Sequence, residues 1–283
     1  MLKIKFAGFW VLLFALASFS YARGYETVSE KVKLESTDKY LEVQIELGMA
    51  EFYLKAADKG NLVTFDGEYD SRHLEPEFDY DRSGDNVSVF IGVDTKRHFK
   101  GDKDHFDNNF EVTLSEAVEI ELDCELGLGE NTMDLTGLKI SRLIVESGLS
   151  STDIVVEEEN TVSCKVVDIE CGLGELSTDY LGNLRFKELV VEGGLGDVGL
   201  DLRGFKGNGV VDVSVGMGSC TIILPKDVGV KLRYDKGLFS SVDAPGFDKV
   251  RRNLYESEGY DDMENFLDID VSVGMGSIDI RWR

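Results

Sequence analysis

Proline is nearly missing from this chain, with 3 in 283 residues, and histidine and cysteine are scarce at 3 and 4. Proline at about 1%, against a usual level near 5%, excludes a proline-rich stalk and leaves almost every backbone N–H free to join a hydrogen-bond ladder. Basic residues are outnumbered, 30 Lys and Arg against 54 Asp and Glu, for a net charge of -24. That balance repels phosphate backbones and anionic headgroups, so nucleic acid is excluded as a partner. No apolar run beyond the first two dozen residues is long enough to span a bilayer, and no stretch sustains helical periodicity. A serine nucleophile elbow and a zinc-protease motif are both absent.

At the start of the chain, Lys3 and Lys5 precede an apolar run from Phe6 to Phe19, followed by Ser20-Tyr21-Ala22. A basic n-region, a short apolar core and small residues at the cleavage positions predict a signal peptide removed after Ala22. The expected mature chain is exported to the periplasm, the cell surface or the medium, with no transmembrane segment. The competing reading keeps the segment as an uncleaved anchor. Export permits disulfides, and Cys124, Cys164, Cys171 and Cys220 allow three pairings. Cys124 and Cys171 fall about 10 Å apart in the register described next, beyond disulfide reach. Buried free thiols are therefore expected, with a bridge from Cys164 left open.

Glycine is abundant, 30 of 283 or about 11% against a usual 7%. Much of it recurs in Gly-x-small triplets that begin at Gly48, Gly127, Gly148, Gly172, Gly194, Gly216 and Gly274; four of the triplets end in Gly129, Gly174, Gly196 and Gly218, and the last in Gly276. From Gly127 to Gly216 the steps are about 21, 24, 22 and 22 residues, the period of a repeat architecture. Alternating stretches flank each triplet in one register. Leu122, Cys124 and Leu126 before a corner, or Cys220, Ile222 and Leu224 after one, belong to the inward face. Strand, corner and strand cannot bury an apolar face alone, but units stacked about 4.8 Å apart can. The expected fold is all-β, a single-domain β-solenoid. Residues 59–112 form an N-terminal cap region containing a hairpin from Phe78 to Ile91. Residues 113–225 form the regular repeats, 226–268 an insertion acting as lid or cap with a possible short helical turn near Phe247 to Leu254, and 269–283 the final strands.

Several stretches resemble a known family. They are Gly127-Leu128-Gly129-Glu130 with Asp134-Leu135-Thr136-Gly137-Leu138, Glu75-Pro76-Glu77-Phe78, Phe110-Glu111-Val112-Thr113-Leu114, and the ending Val273-Gly274-Met275-Gly276-Ser277-Ile278. Together they are similar to the toastrack, or putative-adhesin, family and to the C-terminal domain of LiaF-like cell-envelope stress proteins. The resemblance covers about Tyr25 to the C-terminus. It implies a bacterial envelope protein with a β-solenoid and no enzymatic role, binding an envelope protein or cell-surface component. LiaF-like proteins carry transmembrane helices before this domain, whereas this chain has only the expected signal peptide there.

Three chemical motifs dissolve on inspection. Gly194-Leu195-Gly196-Asp197-Val198-Gly199 spells a dinucleotide fingerprint, but its sibling corners lack the last glycine and a strand pattern follows where a helix is required. Asp79, Asp81, Ser83 and Gly84 imitate an EF-hand start, yet the twelfth position is Phe90 instead of Glu, which points to a polar hairpin turn. His73, His98 and His105, the last two near Asp102, Asp104 and Asp107, read as solvated loop.

A sharper signal lies in the outward columns. Glu125, Glu146, Glu170 and Glu192 stand two residues before four successive corners; after the corner, Glu175 neighbours Asp197 and Asp179 neighbours Asp201. Like charges about 5 Å apart raise one another's pKa or recruit cations, unless water, salt and the occasional Lys relieve them at an exposed face, which is the expected case here. The expected function is a non-catalytic binding or structural module without a cofactor. One alternative is a cation-dependent adhesive element holding Ca2+ at Glu175, Asp179, Asp197 and Asp201. The other is a polysaccharide-acting enzyme built on a carboxylate pair.

Overall fold

Alternation of apolar and polar side chains on both sides of a glycine corner lets one strand bend while keeping a single face buried. The computed structural model, which describes residues 24–57, 60–96 and 108–283, shows this construction. The N-terminal strands are β1 (Tyr25–Lys33), β2 (Tyr40–Met49), β3 (Glu51–Ala56), β4 (Asn61–Asp70), β5 (Leu74–Ser83), β6 (Asn86–Thr95) and β7 (Asn109–Leu114). The long bent strands are β8 (Glu119–Asp134), β9 (Lys139–Val155), β10 (Val166–Asp179), β11 (Glu188–Asp201) and β12 (Asn208–Leu224), followed by β13 (Val228–Asp243). Two short strands, β14 (Phe247–Arg251) and β15 (Leu254–Ser257), precede the last long one, β16 (Asn265–Trp282). The fold is all-β, and the strands form one open sheet. Among the described residues the only helical pieces are 3-10 turns at Leu181–Leu184 and Tyr260–Asp262.

From β8 to β12 each strand pairs in parallel with the next, and the pairing continues through every corner. The inward rows are fully buried: Leu122, Cys124, Leu143, Val145, Val167, Ile169, Leu189, Val191, Val211 and Val213 before the corner, and Ile154, Leu200, Ile222 and Ile280 after it. Return turns carry buried amides that satisfy backbone groups of neighbouring coils. Asn160 donates to the carbonyls of Ile140 (2.6 Å) and Leu184 (3.2 Å), and Asn183 donates to that of Val156 (2.8 Å). Unpaired carbonyls at such depth would each cost about 1–3 kcal/mol. Phe186 and Phe205 pack across two of these turns with ring centroids 4.9 Å apart and planes tilted by 43°.

β2 and β3 form the corner coil at Gly48, lying against β8. Beyond it, one arm continues into the antiparallel β5–β6 hairpin and the other into β7, β4 and β1. The hairpin expected from Phe78 to Ile91 is present, turning at Gly84 with φ 68°. Arg82 ties it to the β1–β2 loop, donating to the Lys33 carbonyl (2.9 Å) and Asp38 (3.1 Å) and pairing with Glu35.

The C-terminal end differs from the expected lid. β13 is itself a further coil, paired in parallel with β16, and β16 lies between β12 and β13. The alternation in Val228-Gly229-Val230-Lys231-Leu232 gives a strand, and Val228, Val230 and Leu232 are all buried. The helical turn expected near Phe247 to Leu254 is instead the β14–β15 hairpin, capping β13 at Lys231 and Leu232. All four cysteines are free thiols, including Cys164, which is buried and donates to the Val166 carbonyl (3.4 Å).

Candidate functional site

The corners need glycine for two separate reasons. In the corners that end in Gly129, Gly174, Gly196, Gly218 and Gly276 the third position sits at left-handed φ, 140° at Gly196, where a β-carbon would lie 1.6 Å from the Gly174 carbonyl oxygen. The first position has no such φ, but a β-carbon on Gly194 would meet the Gly172 oxygen at 2.3 Å. Bare backbone on both sides pushes the middle residue of each triplet outward. Leu128, Leu149, Leu173, Leu195, Met217 and Met275 are 39–55% exposed, and each is the register partner of the next. Met49 joins at the N-terminal end, and Phe239, 76% exposed, at the C-terminal end. Eight rows about 4.8 Å apart make a continuous apolar ridge roughly 34 Å long.

An acidic groove follows the ridge on one side. Glu46, Glu125, Glu146, Glu170 and Glu192 are successive register partners, and the row ends at Ser214. They line a groove of about 750 Å³ together with Asp94 and the first glycine of each corner from Gly48 to Gly216. The row before the glycines narrows to Ser147, Cys171 and Gly193 over the middle coils, which opens the groove there. Burial, then Glu125 and Asp94, raise the pKa of Glu46; burial, then Glu170 and Glu125, raise that of Glu146.

The opposite flank is also acidic. Glu130, Ser151, Glu175 and Asp197 are register partners two residues beyond the ridge. Asp197 accepts from the backbone N–H (2.9 Å) and hydroxyl (2.6 Å) of Ser219, which lowers its pKa. No Lys or Arg occurs in β8, β10, β11 or β12.

The four acids grouped for Ca2+ are placed differently from one another. Glu175 and Asp197 are direct neighbours, but parallel pairing of β10 with β11 ends at Ser177 and Gly199, before Asp179 and Asp201. Asp201 is buried, its N–H bonds the Thr178 hydroxyl, and its carboxylate is held by Arg203, whose guanidinium lies 4.0 Å over the Tyr180 ring. Among the described residues no three of His, Cys, Asp and Glu stand close enough together to hold a metal ion. His73 lies 3.4 Å from Asp70; His98, His105, Asp102, Asp104 and Asp107 lie outside the described residues, as does the expected signal peptide. Gly194 to Gly199 lie within strand β11, not at a helix N-terminus.

Glycine corners, parallel register and open sheet coincide with a family match. Residues 22–179 match the family described as the N-terminal domain of toast_rack. The chain belongs to the toast_rack family. Similar solved structures include a “putative cell adhesion protein” from Clostridium sporogenes, 18% identical, covering 92% of this chain and 100% of that one, with TM-score 0.47. A “putative adhesin” from Bacteroides fragilis is 13% identical over 92% and 98% of the chains, with TM-score 0.38. A “putative lipid binding protein” from Parabacteroides distasonis is 12% identical over 92% and 97%, with TM-score 0.34. No curated protein matches this toast_rack chain. Sequence reasoning missed the ridge, although the triplets displayed it: the middle residue of the six ridge corners from Gly127 onward is always Leu or Met. It also missed Glu46, whose coil lies beyond an insertion that breaks the regular period.

Proposed function

We propose that this toast_rack protein is a non-catalytic, exported binding module of the cell envelope, adhesin-like in that its work is done by a surface instead of a reaction centre. In this reading the stack is a β-solenoid of about 22 residues per coil, delivered by the signal peptide ending at Ala22. The observation that carries it is the ridge. Folding places apolar side chains inside, and a contiguous row of half-exposed Leu and Met running the length of a molecule marks an interaction surface. Each ridge residue is unnecessary for its own corner, since the corner is made by the flanking glycines and Ser150. The recurrence of Leu or Met in six successive rows of this one chain therefore supports a role in contact. Among the described residues no helix is long and apolar enough to cross a membrane.

The test is saturable binding of the full chain to isolated cell envelopes, measured with fluorescent protein over a concentration series. Saturation in the micromolar range or tighter is expected. Linear, unsaturable uptake, or turnover of any envelope glycan by the purified protein, would overturn the reading.

A further inference from the structure

The ridge is bordered on both sides by acids. Glu125, Glu146, Glu170 and Glu192 run along one flank, and Glu130, Glu175 and Asp197 along the other; within strands β8 to β12 the only basic residues are Lys139 and Arg142, four or more residues before Glu146 at the start of β9. This arrangement selects among occupants of the apolar row. A second copy laid on the ridge would set acidic rows against acidic rows, and an anionic membrane would meet the same repulsion. A partner with an apolar stripe flanked by Lys or Arg would satisfy both features, covering the ridge and compensating the carboxylate rows beside it.

Spacing narrows the shape. An α-helix presents one turn every 5.4 Å or so, against about 4.8 Å per coil, so over the four rows from Leu128 to Leu195 the two drift apart by only about 2 Å. An extended peptide repeats its face roughly every 6.6 Å and drifts by about 5 Å over the same rows. We infer that the Leu128–Leu195 stretch of the ridge docks a cationic amphipathic helix, its apolar face on the leucines and its Lys or Arg flanks on the two acidic rows. This deepens the binding reading and rests on it, naming the chemistry of the partner.

The probe is a fluorescein-labelled 18-residue peptide of Leu and Lys, with Leu at helical i, i+3, i+4, i+7 spacing, titrated against the full chain and followed by anisotropy. Controls are a peptide of equal composition with the period scrambled, the same pattern built from Leu and Glu, and phosphatidylcholine vesicles. The patterned Leu/Lys peptide should bind about tenfold or more tighter than the scrambled one. Leu149→Ser with Leu195→Ser should remove that preference while the far-ultraviolet strand signal is kept. Glu146→Gln with Glu170→Gln should weaken binding about threefold or more and flatten its salt dependence. Equal binding of the scrambled peptide, indifference to the serine pair, or ridge-dependent capture of vesicles in place of the peptide would overturn the inference. If envelope binding saturates while the peptide fails, this inference falls and the module reading stands; if neither binds, both fall.

Discussion

Glycine at the third corner position is held by backbone shape and by the coil beneath it, and the two constraints compound. At Gly196 a methyl group would need a left-handed φ and would also overlap a carbonyl. Gly196→Ala is expected to destabilise the protein by about 3 kcal/mol, a fall in melting temperature of several degrees. Gly199, three residues on in the same strand, provides the control. Its β-carbon would meet only the Leu176 oxygen, at an ordinary 3.6 Å, so Gly199→Ala should change stability by less than about 1 kcal/mol. Equal losses at the two sites would contradict the packing account. The thiols make a second residue-scale test. Burial pushes Cys164 and Cys220 up to about 12 and raises Cys124 and Cys171 as well, but Cys171 alone is partly exposed, at the groove, where it accepts from the Ser147 hydroxyl at 3.2 Å. Iodoacetamide at pH 8 should slowly modify one thiol in the native protein and four after unfolding, counted by mass spectrometry.

At the scale of the strand, alternation and triplet spacing made most of the stack legible: the register of β8 to β12 is the one read from Leu122, Cys124 and Leu126 and their counterparts. Alternation reports which face is buried, not which strand lies alongside. Hence β13 could not be recognised as a coil beyond β16 from its own residues, because Gly237 is followed by Leu238 and Phe239 instead of a second small residue. The glutamate row was legible for the same reason the core was, since both are period-two columns. Asp179 and Asp201 look equivalent in sequence, but only the structure shows Arg203 reaching back to close on Asp201. The glutamate row also sets a pH dependence. A carboxyl whose pKa is raised on folding binds more protons in the folded chain, so its contribution to stability falls as pH rises through the window above the unfolded value near 4.5. Glu146→Gln should therefore raise the melting temperature by about 1–2 °C at pH 7 and low salt, and by less at pH 4 or in high salt. A loss of stability at pH 7, or a gain that grows with salt, would contradict this.

For the molecule as a whole, stability is carried from coil to coil, and the order of coils matters. Because β16 is the neighbour of both β12 and β13, removing Asn265–Arg283 takes away the parallel partner of two coils at once. The truncated chain is expected to be insoluble or to lose the cooperative melting transition, whereas removal of an exposed terminal strand would not do so. The same stacking turns one residue per coil into a surface of molecular length, and that surface is the central claim. Its most direct test compares two pairs of exposed apolar residues in the envelope-binding assay: Leu173→Ser with Leu195→Ser on the ridge, and Val210→Ser with Val250→Ser, which are 51% and 53% exposed but off the ridge. The account predicts that the ridge pair weakens binding about tenfold or more while the valine pair leaves it unchanged. Equal losses from both pairs, or none from the ridge pair, would contradict it.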